Sequence, residues 1–265
     1  MIYERFIGVD GCRGGWFAVS IDRRGDAHWG VFPSFVELWD LWGENALVLI
    51  DIPIGLPSSD TLSRLCDTEA RRLLSPHRHT SIFSPPSREA LAAEDYVDAC
   101  RRNHETLGRK ITLQCWHIAR KINEIDAFLN DRPEARGAVR ECHPEVCFQS
   151  LAGGAPMLRS KKSPEGFQDR MNLLGSLFPL SRSITQRAAG QYTQKTLNRD
   201  DIIDALATAV TAFLSKGTLS TLPRHPQRDA RGLPMEIVYF HATPGHVSSP
   251  HPASPGGEEY TGCEK

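Results

Sequence analysis

With 265 residues, 40% of them hydrophobic and 24% charged, the chain can bury one sizeable core and still carry an insertion or a small second lobe. Its 31 basic and 32 acidic residues give a formal net charge of -1, which excludes a global attraction to polyanions; nucleic-acid contact would have to come from local basic patches. No apolar run approaches the ~18 residues of a membrane span. The opening residues show no basic-then-apolar leader, and the seven cysteines include no CxxC pair. A disulfide framework and a thiolate zinc site are therefore not expected, and a reduced, cytoplasmic setting is.

In chain order, Phe6 to Val9 reads as a buried strand that delivers Asp10 to its end, where Gly11, Gly14 and Gly15 let the backbone turn and a ligand approach it. Trp16 to Ile21 and Ala27 to Phe32 read as a second and third strand, joined by the turn chemistry of Asp22 to Asp26. Ser34, with Glu37 three residues on, opens a helix. A fourth strand, Ala46 to Ile50, ends in Asp51, and Pro53 stops it from continuing. This order makes the fourth strand parallel to the first after a right-handed crossover and brings Asp10 and Asp51 to one edge of the sheet. Two neighbouring strands ending in carboxylates make a cation site.

From about residue 58 to 130 the pattern turns helical, with stretches predicted at Asp60 to Leu74, Ser87 to Arg102 and Thr106 to Leu129. Ala138 to His143 reads as a fifth strand, stopped by Pro144, with Glu145 opening another helix. A glycine loop and the basic run Arg159 to Ser163 follow; Lys161 and Lys162 there suit a phosphate as well as solvent. A helix is predicted over Pro164 to Leu177 and another from Asn198, in which Asp201 and Asp204 share a face. Acids at a helix start complement its dipole, but Asp204 lies a turn further in, beside Ala205, Leu206 and Ala207, where capping no longer explains it. A last strand covers Gly232 to Phe240. The stretch from 241 to 265 reads as a flexible tail, which makes His246, His251 and Cys263 poor site candidates.

Seven collinear pieces, VDGCRGGW, IDIPIGLP, CDTEARR with SIFSPPSR, ECHPEV, SKKSPEG, DDIIDALATA and GLPMEIVY, resemble the DUF429 family over roughly residues 5 to 240. Members of that family are predicted nucleases with an RNase H-like fold. The resemblance implies one domain over residues 1–240, with a mixed five-stranded α/β sheet flanked by helices and a helical insertion after the fourth strand. It also implies an acid from the first strand, Asp10, one from the fourth, Asp51, and a helix acid, Asp204, with Asp201 a turn before it. Glu141 falls in the ECHPE piece.

The chemistry that such carboxylates serve is phosphodiester hydrolysis with Mg²⁺ or Mn²⁺, expected here as two ions. Asp10, Asp51, Glu141 and Asp204 are the expected catalytic set, and Asp10, Asp51, Asp201 and Asp204 the expected metal ligands. Arg13, His143, Lys161 and Lys162 are expected to meet a nucleic-acid or nucleotide substrate, His143 also as a proton shuttle. An actin-like or sugar-kinase-like nucleotide binder is the alternative, since an acid followed by glycines also suits a nucleotide phosphate; a non-catalytic scaffold is another.

Overall fold

The structure, a computed structural model, describes residues 2–241. The expected tail from 242 onward, with His246, His251 and Cys263, lies outside the described residues. Strands β1 (Arg5–Cys12), β2 (Gly15–Asp22) and β3 (Ala27–Phe32) form an antiparallel meander. Helix α1 (Phe35–Trp42) starts where Ser34 accepts from the Glu37 amide, and carries the chain to β4 (Ala46–Ile50), parallel to β1. With β5 (Val139–Glu141) parallel to β4, the sheet runs β3-β2-β1-β4-β5, a mixed five-stranded sheet as the resemblance implies.

The helical stretch after β4 is more broken than its periodicity suggests. Helix α2 covers Leu65–Leu74, and the helix expected from Ser87 divides into a single turn, α3 (Arg88–Leu91), and α4 (Tyr96–Leu107). Apolar spacing runs through the break, but the Asp95 side chain accepts from the Asp98 amide and so starts a new helix. Gly108, in the left-handed region at φ 70°, then ends α4, and Thr112 caps α5 (Leu113–Asp131).

Beyond β5 come α6 (Pro144–Leu151), α7 (Pro164–Leu177), α8 (Ser181–Gln191) and α9 (Arg199–Ser215). The hairpin of β6 (Ser220–Arg228) and β7 (Pro234–Tyr239) closes the described chain, and a bridge from Cys142 to Val238 attaches it to the end of β5. Two of these elements have no clear signature in the sequence. Helix α8 opens without a side-chain cap, and β6 contains Pro223 and Pro226, which read as breakers but are tolerated in a two-stranded, bulged ribbon.

The pleat sorts the core into two layers. Ile7, Val9, Ala46, Val48 and Ile50 face α1 and α5, while Phe6, Leu47 and Leu49 face the other way, toward α9. Helix α9 lies directly on β1, and Gly8 makes that possible: a Cβ there would stand 2.1 Å from both the Ala205 carbonyl oxygen and the Ala209 amide nitrogen. Rigid main chain cannot yield as a side chain tip can, so Gly8→Ala is expected to destabilise by about 3 kcal/mol, the upper end of the usual overpacking range. Gly190→Ala, in open space on α8, is expected to be neutral or stabilising. Chemical denaturation of the two variants side by side checks both; a Gly8→Ala midpoint matching the wild type would mean the contact is not tight.

Candidate functional site

The last rung shared by β1 and β4 pairs Val9 with Ile50, and the Asp51 amide donates to the Val9 carbonyl at 3.0 Å. Asp10 and Asp51 are thus each one residue past the end of the parallel ladder. Asp10 is still inside β1, paired with Phe17 of β2, and not at a strand end as the sequence suggested. The pleat turns both acids to the α9 side, since Gly8 and Leu49, two residues before each, face that helix.

Asp204 precedes the Ala205 carbonyl that rests on Gly8, so the contact fixing α9 on the sheet also presents the third acid. One carboxylate oxygen from each of Asp10, Asp51 and Asp204 lies within 4.8 Å of the others. Asp204 is buried, and its Oδ1 has no hydrogen-bond partner. Asp10 accepts from the Gly11 amide at 2.7 Å.

Lys161 reaches into this cluster and pairs with Asp204 through its ammonium. The loop that carries it is anchored just before it, where Arg78 donates to the carbonyls of Met157 and Leu158 and Arg170 to that of Arg159, and the Ser163 hydroxyl donates back to the Ser160 carbonyl. Lys161 is therefore a fixed charge, not a mobile one. Lys162 next to it is exposed, as is Arg13 in the β1–β2 turn; neither belongs to the cluster.

Two further expected ligands have other partners. Glu141 pairs in register with Ile50, on the face of the sheet opposite to Asp51, so the pleat keeps it out of the triad. Its carboxylate accepts from the buried Arg64 guanidinium at 2.5 Å and from the Ile54 amide at 2.6 Å. Asp201 turns back to its own helix start, accepting from the Asn198 amide in a capping box. His143 caps α6, its Nδ1 accepting from the Glu145 amide at 3.2 Å. Burial and the charge of Lys161 lower its pKa to about 4, so at neutral pH it is an uncharged imidazole.

Several residues of the site have no mark in the sequence. Arg170 holds Glu145 with both oxygens at 2.7 Å, and Arg64 holds Glu141 and, at 3.7 Å, the buried Asp67. Lys121 of α5 lies with its stem against Gly11 and its ammonium over the Trp16 ring, 4.4 Å from the centroid. Nothing in the spacing of α5 distinguishes Lys121 from a solvated lysine. Glu145 falls within the ECHPEV piece and could have been picked out from it.

Together the fold and site define an α/β protein whose parallel strands and one late helix gather three carboxylates, two of which, Asp10 and Asp51, line a cleft of about 310 Å³. Residues 8–228 match the family described as "Protein of unknown function (DUF429)", and the chain belongs to that family. No curated protein and no solved structure gives a significant match. No helix among the described residues is long and apolar enough to cross a membrane, and the six described cysteines are buried and unpaired.

Burial raises Asp51 to about 7 and Asp204 to about 6, with the charge of Asp204 adding to the shift at Asp51. Burial and the same neighbours also push Asp10 well up. Between the ordinary carboxyl range near 4 and about 7, the folded protein holds protons that the unfolded chain has released, so these groups make unfolding easier as pH rises through that window. Metal-free protein is expected to melt at a higher temperature near pH 5 than near pH 8, and Asp51→Asn to flatten the difference. Thermal melts in chelator across that range check the sign; a slope unchanged by the substitution would place the titration elsewhere.

Proposed function

We propose that the protein is a metal-dependent hydrolase of phosphodiester bonds, with Asp10, Asp51 and Asp204 of an RNase H-like sheet as its ligands for Mg²⁺ or Mn²⁺. The observation that carries this reading is the buried, unpartnered Oδ1 of Asp204 beside two more carboxylates. A lone-pair donor in that position loses water without gaining a partner, a costly arrangement that a hard cation relieves. The donor set is all oxygen, as Mg²⁺ and Mn²⁺ prefer.

Charge balance supports one resident ion. With the acids ionised, the Lys161 ammonium leaves two negative charges in the triad, which Lys121 beside Asp10 offsets in part; Glu145 is matched by Arg170, and Arg64 is shared by Glu141 and Asp67. The second ion expected from the sequence would need the negative charge of a substrate phosphate to join it. When bound, the metal supplies Lewis-acid polarisation of a phosphoryl oxygen and an acidified water.

The protein's own residues do the rest. Lys161, kept protonated by Asp204 and Asp10, sets a positive charge where a phosphoryl oxygen gains negative charge. His143, uncharged, lines the cleft next to it. Hydrolysis forms one bond from a water oxygen to phosphorus and breaks the bond from phosphorus to the leaving oxygen, which takes up a proton; the products are a phosphomonoester and an alcohol. The actin-like alternative expects the sheet twice, whereas the described residues contain one five-stranded sheet and a two-stranded hairpin.

Asp10→Asn is expected to lower Mn²⁺-dependent cleavage of phosphodiesters by about 10²-fold or more, the scale of losing a charge-stabilising group. Equal rates for wild type and variant would remove the proposal. Lys161→Met is expected to separate binding from turnover: calorimetry should show tighter Mn²⁺ binding, because a competing positive charge is gone, together with slower hydrolysis. Weaker Mn²⁺ binding in that variant would contradict the charge balance.

A further inference from the structure

The cleft itself restricts what can reach the triad. At about 310 Å³ it lies at the small end of small-ligand sites. Asp10, Asp51 and Lys161 line one side of it, and Gln114, Ile118 and Lys121, on one face of α5, line another. Phe83, from the segment ahead of α3, adds an aromatic wall.

That roof is fixed. Glu124, on α5 one turn beyond Lys121, accepts from the Trp16 indole at 3.0 Å and from the Phe35 amide at 2.6 Å. Phe128 then meets Phe35 edge to face at 4.9 Å. On its outer side, Asp126 accepts from Arg88 and Arg231, the latter from the β6–β7 turn. With both sides of α5 held, the cleft cannot open by swinging the helix away without breaking buried contacts.

A polynucleotide also needs a track of cations along its backbone. Near the cleft the arginines are already engaged: Arg64 and Arg170 with buried glutamates, Arg78 with loop carbonyls, Arg71 with Ile82 and Ser84. Lys161, paired with Asp204, and Lys121, donating to the Gly15 carbonyl, stand beside the triad, enough for one phosphate; the exposed Arg13 and Lys162 are the charges a longer backbone would have to use. The apolar wall of Phe83 and Ile118 offers a face for a single base to stack on.

Resting on the hydrolase reading above, we propose that the substrate is a small nucleotide, with one phosphodiester placed between the triad and α5 and one base against Phe83 and Ile118, and not a polymer.

The test compares Mn²⁺-loaded wild type on a deoxydinucleotide, a short single strand and a closed-circular duplex. The dinucleotide is expected to be hydrolysed with kcat/KM about tenfold or more above that for each internal bond of the single strand, a difference of about 1.4 kcal/mol, and the circle to stay closed. Gln114 is exposed at the cleft, so Gln114→Trp should fold normally, keep Mn²⁺ affinity, and weaken calorimetric binding of a non-hydrolysable phosphonate dinucleotide about tenfold. Nicking of the circle, or equal rates on internal bonds, overturns the size limit and leaves the hydrolase reading standing. Cleavage of none of the three overturns that reading, and this inference with it.

Discussion

The contact between Gly8 and helix α9 is the constraint on which the site depends. A helix backbone can touch a strand backbone only where no side chain intervenes, and here the Ala205 carbonyl and the Ala209 amide occupy the space a Cβ would need. Thr208 fits the same depression, its hydroxyl turned back to the Ala205 carbonyl at 2.9 Å. Because the strand period is two, Asp10 faces the same way as Gly8, and because Asp204 is adjacent to Ala205 it arrives beside Asp10. One missing side chain thus sets the distance between acids that lie far apart in the chain.

Partners, more than charge, then distinguish the acids around the cleft. Glu141 and Glu145 flank the triad, but each is buried against an arginine and gains charge-assisted hydrogen bonds from it, Arg64 serving Asp67 as well. Burial raises all three triad acids, with repulsion from triad neighbours added at Asp10 and Asp51, and burial raises Glu141 as well, to about 8, so what sets the triad apart is its convergence and the unpartnered Oδ1 of Asp204. An excess of negative charge in so confined a place is unstable by itself, and that instability is what a cation would use.

The helical insertion gives the open edge of the sheet a lid that is part of the core. Its longest helix, α5, contributes Ile122, Ile125 and Phe128 to the layer beneath the sheet and at the same time carries Lys121 to the cleft. Stability and access are therefore set by the same helix. The paired acids and arginines around Asp126 and Asp229 tie it in turn to the β6–β7 turn, so the end of the described chain helps to hold the site although it supplies no ligand.

The amino-acid sequence by itself determined the local elements and much of the topology. Apolar runs ending in acids marked β1 and β4, Ser34 and Asn198 marked helix starts, and the order of elements required β4 to lie parallel beside β1, which made Asp10 and Asp51 neighbours. The two prolines of β6 left that strand without a reading, and continuous periodicity hid the break between α3 and α4 that Asp95 imposes. Only the tertiary structure decided which acids converge. Asp201 and Glu141 have the same chemistry as Asp204 and Asp51, but one was turned to its own helix cap and the other to the far face of the pleat. The buried partners that neutralise or leave free a charge, Arg64, Arg170, Lys121 and Lys161, came from distant segments, and no spacing along a chain records which side chain will stand across from it once the core has closed.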